Sequence, residues 1–189
     1  MKIIINESQL RLIIENEDKD DNLLDFTPFV DVNPIKWDEM FERLNKKKGD
    51  KYDGYYIDGD VKLHKSNVTE LKYLVEVRGY LNLYNSQIES LPMLKYVGSS
   101  LFLRHSQIEF LPMLKYVGSN LSLYNSQIES LPKLEYVGID LDLYNSQIES
   151  LPKLEYVGND LYLTNTPLSK TTTKEELRKQ INVEAEIYL

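Results

Sequence analysis

From Val61 to Asp160 the apolar positions repeat every 20 residues through five copies, with no insertion between them. One copy reads Leu81-Asn-Leu-Tyr-Asn-Ser-Gln-Ile-Glu-Ser-Leu-Pro-Met-Leu-Lys-Tyr-Val-Gly-Ser-Ser, and later copies restart at Leu101, Leu121 and Leu141. The copy at Val61 keeps only the skeleton Val61, Leu63, Val68, Leu71, Leu74 and Val77. A fixed period of this length predicts a solenoid, in which each unit makes one coil and buries its apolar edge against its neighbours. The Leu-x-Leu opening of each copy has a period of 2, the mark of a short strand with one buried face. Strands of successive coils run the same way, which predicts a parallel sheet of about seven strands spaced about 4.8 Å apart.

Between those strands Ile88, Leu91, Leu94 and Val97 recur at three-residue spacing. Pro92, Pro112, Pro132 and Pro152 each remove a donor and fix φ, and only about 11 residues lead to the next strand, so the expected backbone is extended or 3-10. Gly98, Gly118, Gly138 and Gly158 are expected to allow the tight turn back into the sheet.

Both flanks carry signals for polar, helical ends. Asn33-Pro34 reads as N-cap and first helical residue. Ile35, Trp37, Met40, Phe41 and Leu44 form an apolar stripe that is expected to cover the first coil, with Trp37 in the core. Lys46, Lys47 and Lys48 suit the negative helix end, and Gly49 its stop. Downstream, Thr172 or Thr173 with Glu175 or Glu176 makes a capping box for a helix to about Gln180. The closing Asn182–Leu189 aligns with Tyr156–Leu163, which predicts a last strand at Ile187–Leu189. The expected divisions are an N-terminal arm and acidic linker at 1–32, a capping helix at 33–54, the repeats at 55–168 and a helix-strand cap at 169–189. Within the arm, Lys2–Ile5 reads as strand and Asn6-x-x-Gln9 as the cap of a helix through Ile14. The run Glu15–Asp25 is charged enough to resist packing.

The unit resembles the leucine-rich repeat family, whose core pattern is LxxLxLxxNxL. The residues that carry the likeness are Leu141, Leu143 and Ile148, with Ser146 in the place of the family's Asn. Ser66, Ser86, Ser106, Ser126, Ser146 and Thr166 hold that place in every coil. The family Asn ties neighbouring coils together through their backbones, a role a hydroxyl can fill with fewer donors. The first family Leu is missing, with Gly138 near its place. The phrasing Val-Gly-x-Asp-Leu-x-Leu is similar to short repeats of bacterial and bacteriophage proteins. The resemblance implies an α/β solenoid: a right-handed coil with a parallel sheet on its concave side, an extended or 3-10 convex side and helical caps.

Composition narrows the function classes. The 189-residue chain has no cysteine, which removes disulfides, thiolate metal sites and a cysteine nucleophile. Its net charge of −8 argues against nucleic-acid binding, which depends on neutralising phosphates. No run of 18 apolar residues exists to cross a membrane, and the start Met1-Lys2-Ile-Ile-Ile-Asn does not read as a signal peptide. The expected location is the cytoplasm of a bacterial or phage-infected cell, or a virus particle.

Catalytic candidates are few. His64 and His105 lie two coils apart, about 10 Å along the sheet, too far to share a metal. Asp60, Asp140 and Asp160 share a column that Tyr80, Ser100 and Asn120 interrupt, and they read as solvated edge residues. No phosphate loop, Ser-His-Asp order or HExxH is present. A non-enzymatic chain without cofactor or metal is the expectation.

Positions that change between copies are the better guide, because the shared backbone does not dictate them. The columns expected on the concave face are Lys62, Asn82, Phe102, Ser122, Asp142, Tyr162 and His64, Tyr84, Arg104, Tyr124, Tyr144, Thr164. The unit at Leu101 departs most, with Phe102, Arg104, His105 and Phe110. Tyr80, Tyr84, Phe102, Arg104, His105, Tyr124 and Tyr144 therefore form the candidate partner-binding site, aromatic residues around one Arg being the composition of interface hot spots. Tyr84, Tyr124 and Tyr144 stacked as a plain ladder is the competing reading. Tyr96, Tyr116, Tyr136 and Tyr156 recur without exception and read as convex-side packing. The leading function is a protein-binding module that uses the concave face. A virion or appendage component joined through self-association of its N-terminal arm is the alternative, and carbohydrate binding by the Tyr-lined face a further one.

Overall fold

The computed structural model describes residues 23–30 and 33–189. They form a parallel β-solenoid of about five stacked coils. The Leu-x-Leu segments lie in a seven-stranded sheet, ordered Val61–Lys62, Leu81–Asn82, Leu101–Phe102, Leu121–Ser122, Leu141–Asp142, Leu161–Tyr162 and Ile187–Tyr188. Its register is strict, Leu101 pairing with both Leu81 and Leu121, so identical side chains stack in columns. Leu83, Ile88, Leu91, Leu94 and Val97, with their equivalents, fill the interior.

The extended backbone expected opposite is itself a sheet. Its eight parallel strands are Leu23–Asp25, Gly54–Ile57, Leu74–Val77, Tyr96–Val97, Tyr116–Val117, Tyr136–Val137, Tyr156–Val157 and Asn182–Val183. On the third side of the coil single bridges join Glu70 to Ser90, Ser90 to Phe110 and Ser130 to Ser150. Backbone hydrogen bonds join neighbouring coils along both sheets, as parallel pairing requires. Leu101 N–H donates to the Asn120 carbonyl (2.8 Å), and Gly118 N–H to that of Val97 (2.9 Å).

The recurring glycines have a different cause from the one expected. Gly98, Gly118, Gly138 and Gly158 do not adopt positive φ, unlike Gly49 and Gly59. A Cβ at Gly138 would overlap the carbonyl oxygen of Gly118, and one at Gly118 that of Gly98. Glycine is required because successive backbones touch there, not because the chain turns sharply.

At the N-terminal end, the Asn33 side chain accepts from Ile35 N–H (3.1 Å) and a 3-10 turn, Pro34–Lys36, leads into the helix Trp37–Lys47. Trp37, Met40, Phe41 and Leu44 are buried in the common core, but Ile35 is 60% exposed. The tighter winding of the 3-10 turn rotates Ile35 out of the stripe that a continuous α-helix would have made. The helix meets the first coil through Phe41, whose ring lies tilted 4.8 Å from that of Tyr73, and through Asp38. Leu23–Asp25, read as the end of a charged linker, instead pairs with Gly54–Tyr56 as an edge strand that Phe26 prolongs by donating to the Tyr56 carbonyl. Leu24 and Phe26 are buried, Phe26 stacking on Tyr55 at 4.4 Å. Two apolar side chains on one strand face outweigh the charges around them. The strand and helix read within residues 1–22 lie outside the described residues.

Asp38 gives this end a pH dependence. Its carboxylate accepts from Lys72 N–H (2.6 Å), Tyr73 N–H (3.4 Å) and the Tyr55 hydroxyl (3.0 Å). Burial outweighs those bonds and raises its pKa above the ordinary carboxylate value. The folded protein then holds this proton more tightly than the unfolded chain. The stabilisation is full below the unfolded value of about 4 and is lost as pH rises through the folded pKa. Asp38→Asn should therefore lose less stability than the parent between about pH 4 and about pH 7 in urea unfolding. A stability difference between the two that is constant with pH would contradict this assignment.

At the other end Thr173 and Glu176 form a capping box on the helix Lys174–Gln180. Leu177 and Ile181 are buried. Asn182–Val183 then pairs with Tyr156–Val157, and Ile187–Tyr188 with Leu161–Tyr162. The Arg178 guanidinium donates to the carbonyls of Val183 (2.9 Å) and Ala185. That blocks the acceptors a foreign strand would need at this edge.

Candidate functional site

The outward positions of the seven-stranded sheet hold most of the expected patch. After each Leu-x-Leu the chain takes one exposed or half-buried residue and then a residue with positive φ: Lys65, Asn85, His105, Asn125, Asn145 and Asn165 (φ 51 to 63). Asn and His tolerate this conformation better than most residues, which accounts for the recurring Asn. It also places the His105 ring beside the tyrosine of the preceding position in the adjacent coils. His105 meets Tyr84 edge to face at 5.9 Å and Tyr124 at 5.2 Å, and Tyr124 stacks on Tyr144 at 5.2 Å. The Arg104 guanidinium lies 5.0 Å from the centre of the Tyr124 ring. Five of the seven candidates thus form one continuous surface across four coils.

The amides below set its chemistry. Asn145 donates to the Asn125 side-chain oxygen (2.6 Å), and the Asn125 amide nitrogen lies 3.3 Å from His105 Nδ1. In that chain the Asn125 amide donates and Nδ1 accepts, which puts the proton of the neutral His105 ring on Nε2. Asn165 completes the row by donating to the Tyr144 hydroxyl (3.2 Å). The surface therefore offers aromatic edges, one guanidinium and an imidazole donor.

Phe102 and Tyr80 stand apart. Phe102 is half-buried in register between Asn82 and Ser122. Tyr80 sits at the corner between the sheets, where its N–H donates to Asp60 (3.0 Å) and the Lys62 ammonium lies 5.7 Å from its ring. No ring contact joins either to the other five among the described residues.

Two columns change role. Asp60, Ser100, Asn120, Asp140 and Asp160 are not simply solvated edges: each accepts a backbone N–H from the next coil. The donors are Tyr80, Asn120 (3.4 Å), Asp140 (3.2 Å), Asp160 (3.1 Å) and Glu186 (2.9 Å). Asp160 also accepts from the Tyr162 hydroxyl (2.9 Å), a bond that, ahead of burial, pushes that phenol up to about 12. The hydroxyls of the serine column, expected to tie coils together, bond within their own coil or, at Ser66 and Ser126, have no partner among the described residues. Ser86, Ser106 and Thr166 each donate to the carbonyl three residues back, at 2.7 Å. A short hydroxyl reaches its own turn but not the neighbouring one, whereas the corner residues face the next coil's N–H directly.

Tyr96, Tyr116, Tyr136 and Tyr156, read as packing, lie on the outer face of the eight-stranded sheet as a parallel stack with rings 4.8 to 4.9 Å apart. They pack on one another rather than in the core, and the Val beside each fills the interior. Among the described residues no group of three or more His, Cys, Asp or Glu could hold a metal, and no helix is long and apolar enough to cross a membrane. His64 and His105 share no contact, and His64 is exposed. The chain matches no protein-family model, and no curated protein or solved structure is significantly similar to it.

Proposed function

We propose that this solenoid is a non-enzymatic protein-binding module of the leucine-rich-repeat kind, with the outer face of the seven-stranded sheet as its concave recognition surface. The observation that carries the reading is the continuous Tyr84–His105–Tyr124–Tyr144 surface with Arg104 over its centre. Rigid aromatic side chains around an Arg lose little freedom on binding and are the usual anchors of interfaces. Among the four closely similar copies from Leu81 to Asp160, only the one at Leu101 has Arg and His where the others carry Tyr and Asn. Arg104 directs the choice of partner towards an acidic or aromatic group.

The test uses the protein's own repeats as donors. Arg104→Tyr, His105→Asn and Phe102→Asn install residues found at the same position of neighbouring units and should leave the melting temperature nearly unchanged. With a partner isolated by pull-down and confirmed by calorimetry on purified components, Arg104→Tyr and His105→Asn should each weaken binding by about 1–3 kcal/mol. Phe102→Asn, set apart from the ring surface, should weaken it less. Unaltered affinity in all three variants would remove this face from the interface. Stoichiometric self-assembly of the purified chain, unaffected by these changes, would favour the assembly reading instead.

A further inference from the structure

Phe110 belongs to the same divergent unit as Arg104 and His105 but lies on a different side of the coil. It stands where the other copies have Ser90, Ser130 and Ser150, and it is 61% exposed. The bridges along that third side run from Glu70 through Ser90 to Phe110 and from Ser130 to Ser150, with none between Phe110 and Ser130 among the described residues. At that gap a groove of about 350 Å³ opens, lined by Phe110, Leu111, Pro112 and Pro132 with Glu109 and Glu129 beside them. Its volume lies within the range of side-chain and ligand pockets.

The charged residues that line the groove, Glu109 and Glu129, are of one sign, and Lys133 beside Pro132 turns its ammonium to Met113 Sδ (3.0 Å). Glu89, Glu109, Glu129 and Glu149 form a column, all exposed and at about one strand spacing of 4.8 Å. None of the four is in an ion pair among the described residues. Carboxylates in a row repel phosphate and attract cations. An apolar floor between them selects a ligand that brings an apolar group and positive charge together.

We propose that this groove docks an extended basic segment of a partner protein. An aromatic side chain of the segment lies against Phe110, Pro112 and Pro132, and lysine or arginine side chains on either side reach Glu109 and Glu129. The surface is separate from the Tyr84–Tyr144 face, so the two can be engaged at once and fail independently.

The probe is a short synthetic peptide with one phenylalanine between pairs of lysines, titrated into the ¹⁵N-labelled full chain. Amide shifts should saturate and concentrate at residues 107–113 and 127–132. A peptide with serine for the phenylalanine should bind about tenfold more weakly, and so should the Phe110→Ser protein, which keeps its fold because Ser stands there in the other copies. Glu109→Gln with Glu129→Gln should weaken binding by a similar factor and reduce its salt dependence. Shifts spread evenly along the Glu89–Glu149 column, equal binding of the serine peptide, shifts on the Arg104 face or no saturable shift at all would each overturn the proposal.

Discussion

Removing Val183 to Leu189 should cost this protein a large share of its stability. Val183 and Ile187 are 4% and 0% exposed, and two such side chains contribute about 3–6 kcal/mol on burial. Domains of ordinary stability have only about 5–15 kcal/mol in total. The deletion also uncovers Val157 and Leu161, which pair and pack against these strands. Arg178 loses the carbonyls it covers, so the guard on that edge goes with the strand. The expected result is a large fall in melting temperature together with aggregation through the exposed edge. Thermal unfolding followed by light scattering reads both. A truncated chain that remains monomeric and melts with the parent would show that these residues do not close the stack.

A single methyl group should do comparable damage at Gly138. Its Cβ would overlap the carbonyl of Gly118 in the preceding coil, and that atom is backbone and cannot rotate aside. Relief requires the two coils to move apart, against a register that every later coil shares. We expect Gly138→Ala to lose about 3 kcal/mol, the upper end for overpacking. Ser119→Ala, at the neighbouring column, should stay within about 0.5 kcal/mol, as surface changes do. Urea unfolding of both variants decides the matter, and a Gly138→Ala protein as stable as Ser119→Ala would mean that the coils are not in contact there.

The strands of the seven-stranded sheet were legible because Leu81 and Leu83 frame one outward residue, a pattern only a strand makes. The eight-stranded sheet was not, since Tyr96–Val97 is too short to alternate and its neighbours are prolines and turns. A likeness in pattern also misplaced the ties between coils. Ser86 occupies the position of a bonding Asn, but its hydroxyl is too short to cross to the next coil, and the crossing is made by Asp140 and its column. That column looked irregular because Asp, Asn and Ser are interchangeable as acceptors of one N–H. Of the site, composition brought out Tyr84, Arg104, His105 and Tyr124, which do meet. It could not exclude Phe102 and Tyr80, because which outward residue touches which depends on the positive φ at His105. The recurring Asn at that column was the available signal. Phe110 was conspicuous in the sequence, but only the coil's cross-section separates it from Arg104.

The strict 20-residue register has a genetic consequence. Leu121–Asp140 and Leu141–Asp160 present the same interior side chains and begin and end at the same point of the coil. Recombination between the coding stretches of these two near-identical units would excise or add one whole coil, joining Asn120 to Leu141 or Asp140 to Leu121 in frame and in register. The rod would change length in steps of about 4.8 Å while both ends kept their partners. Such exchange would alter the distance from the divergent coil to the C-terminal helix and leave the divergent coil's own side chains untouched.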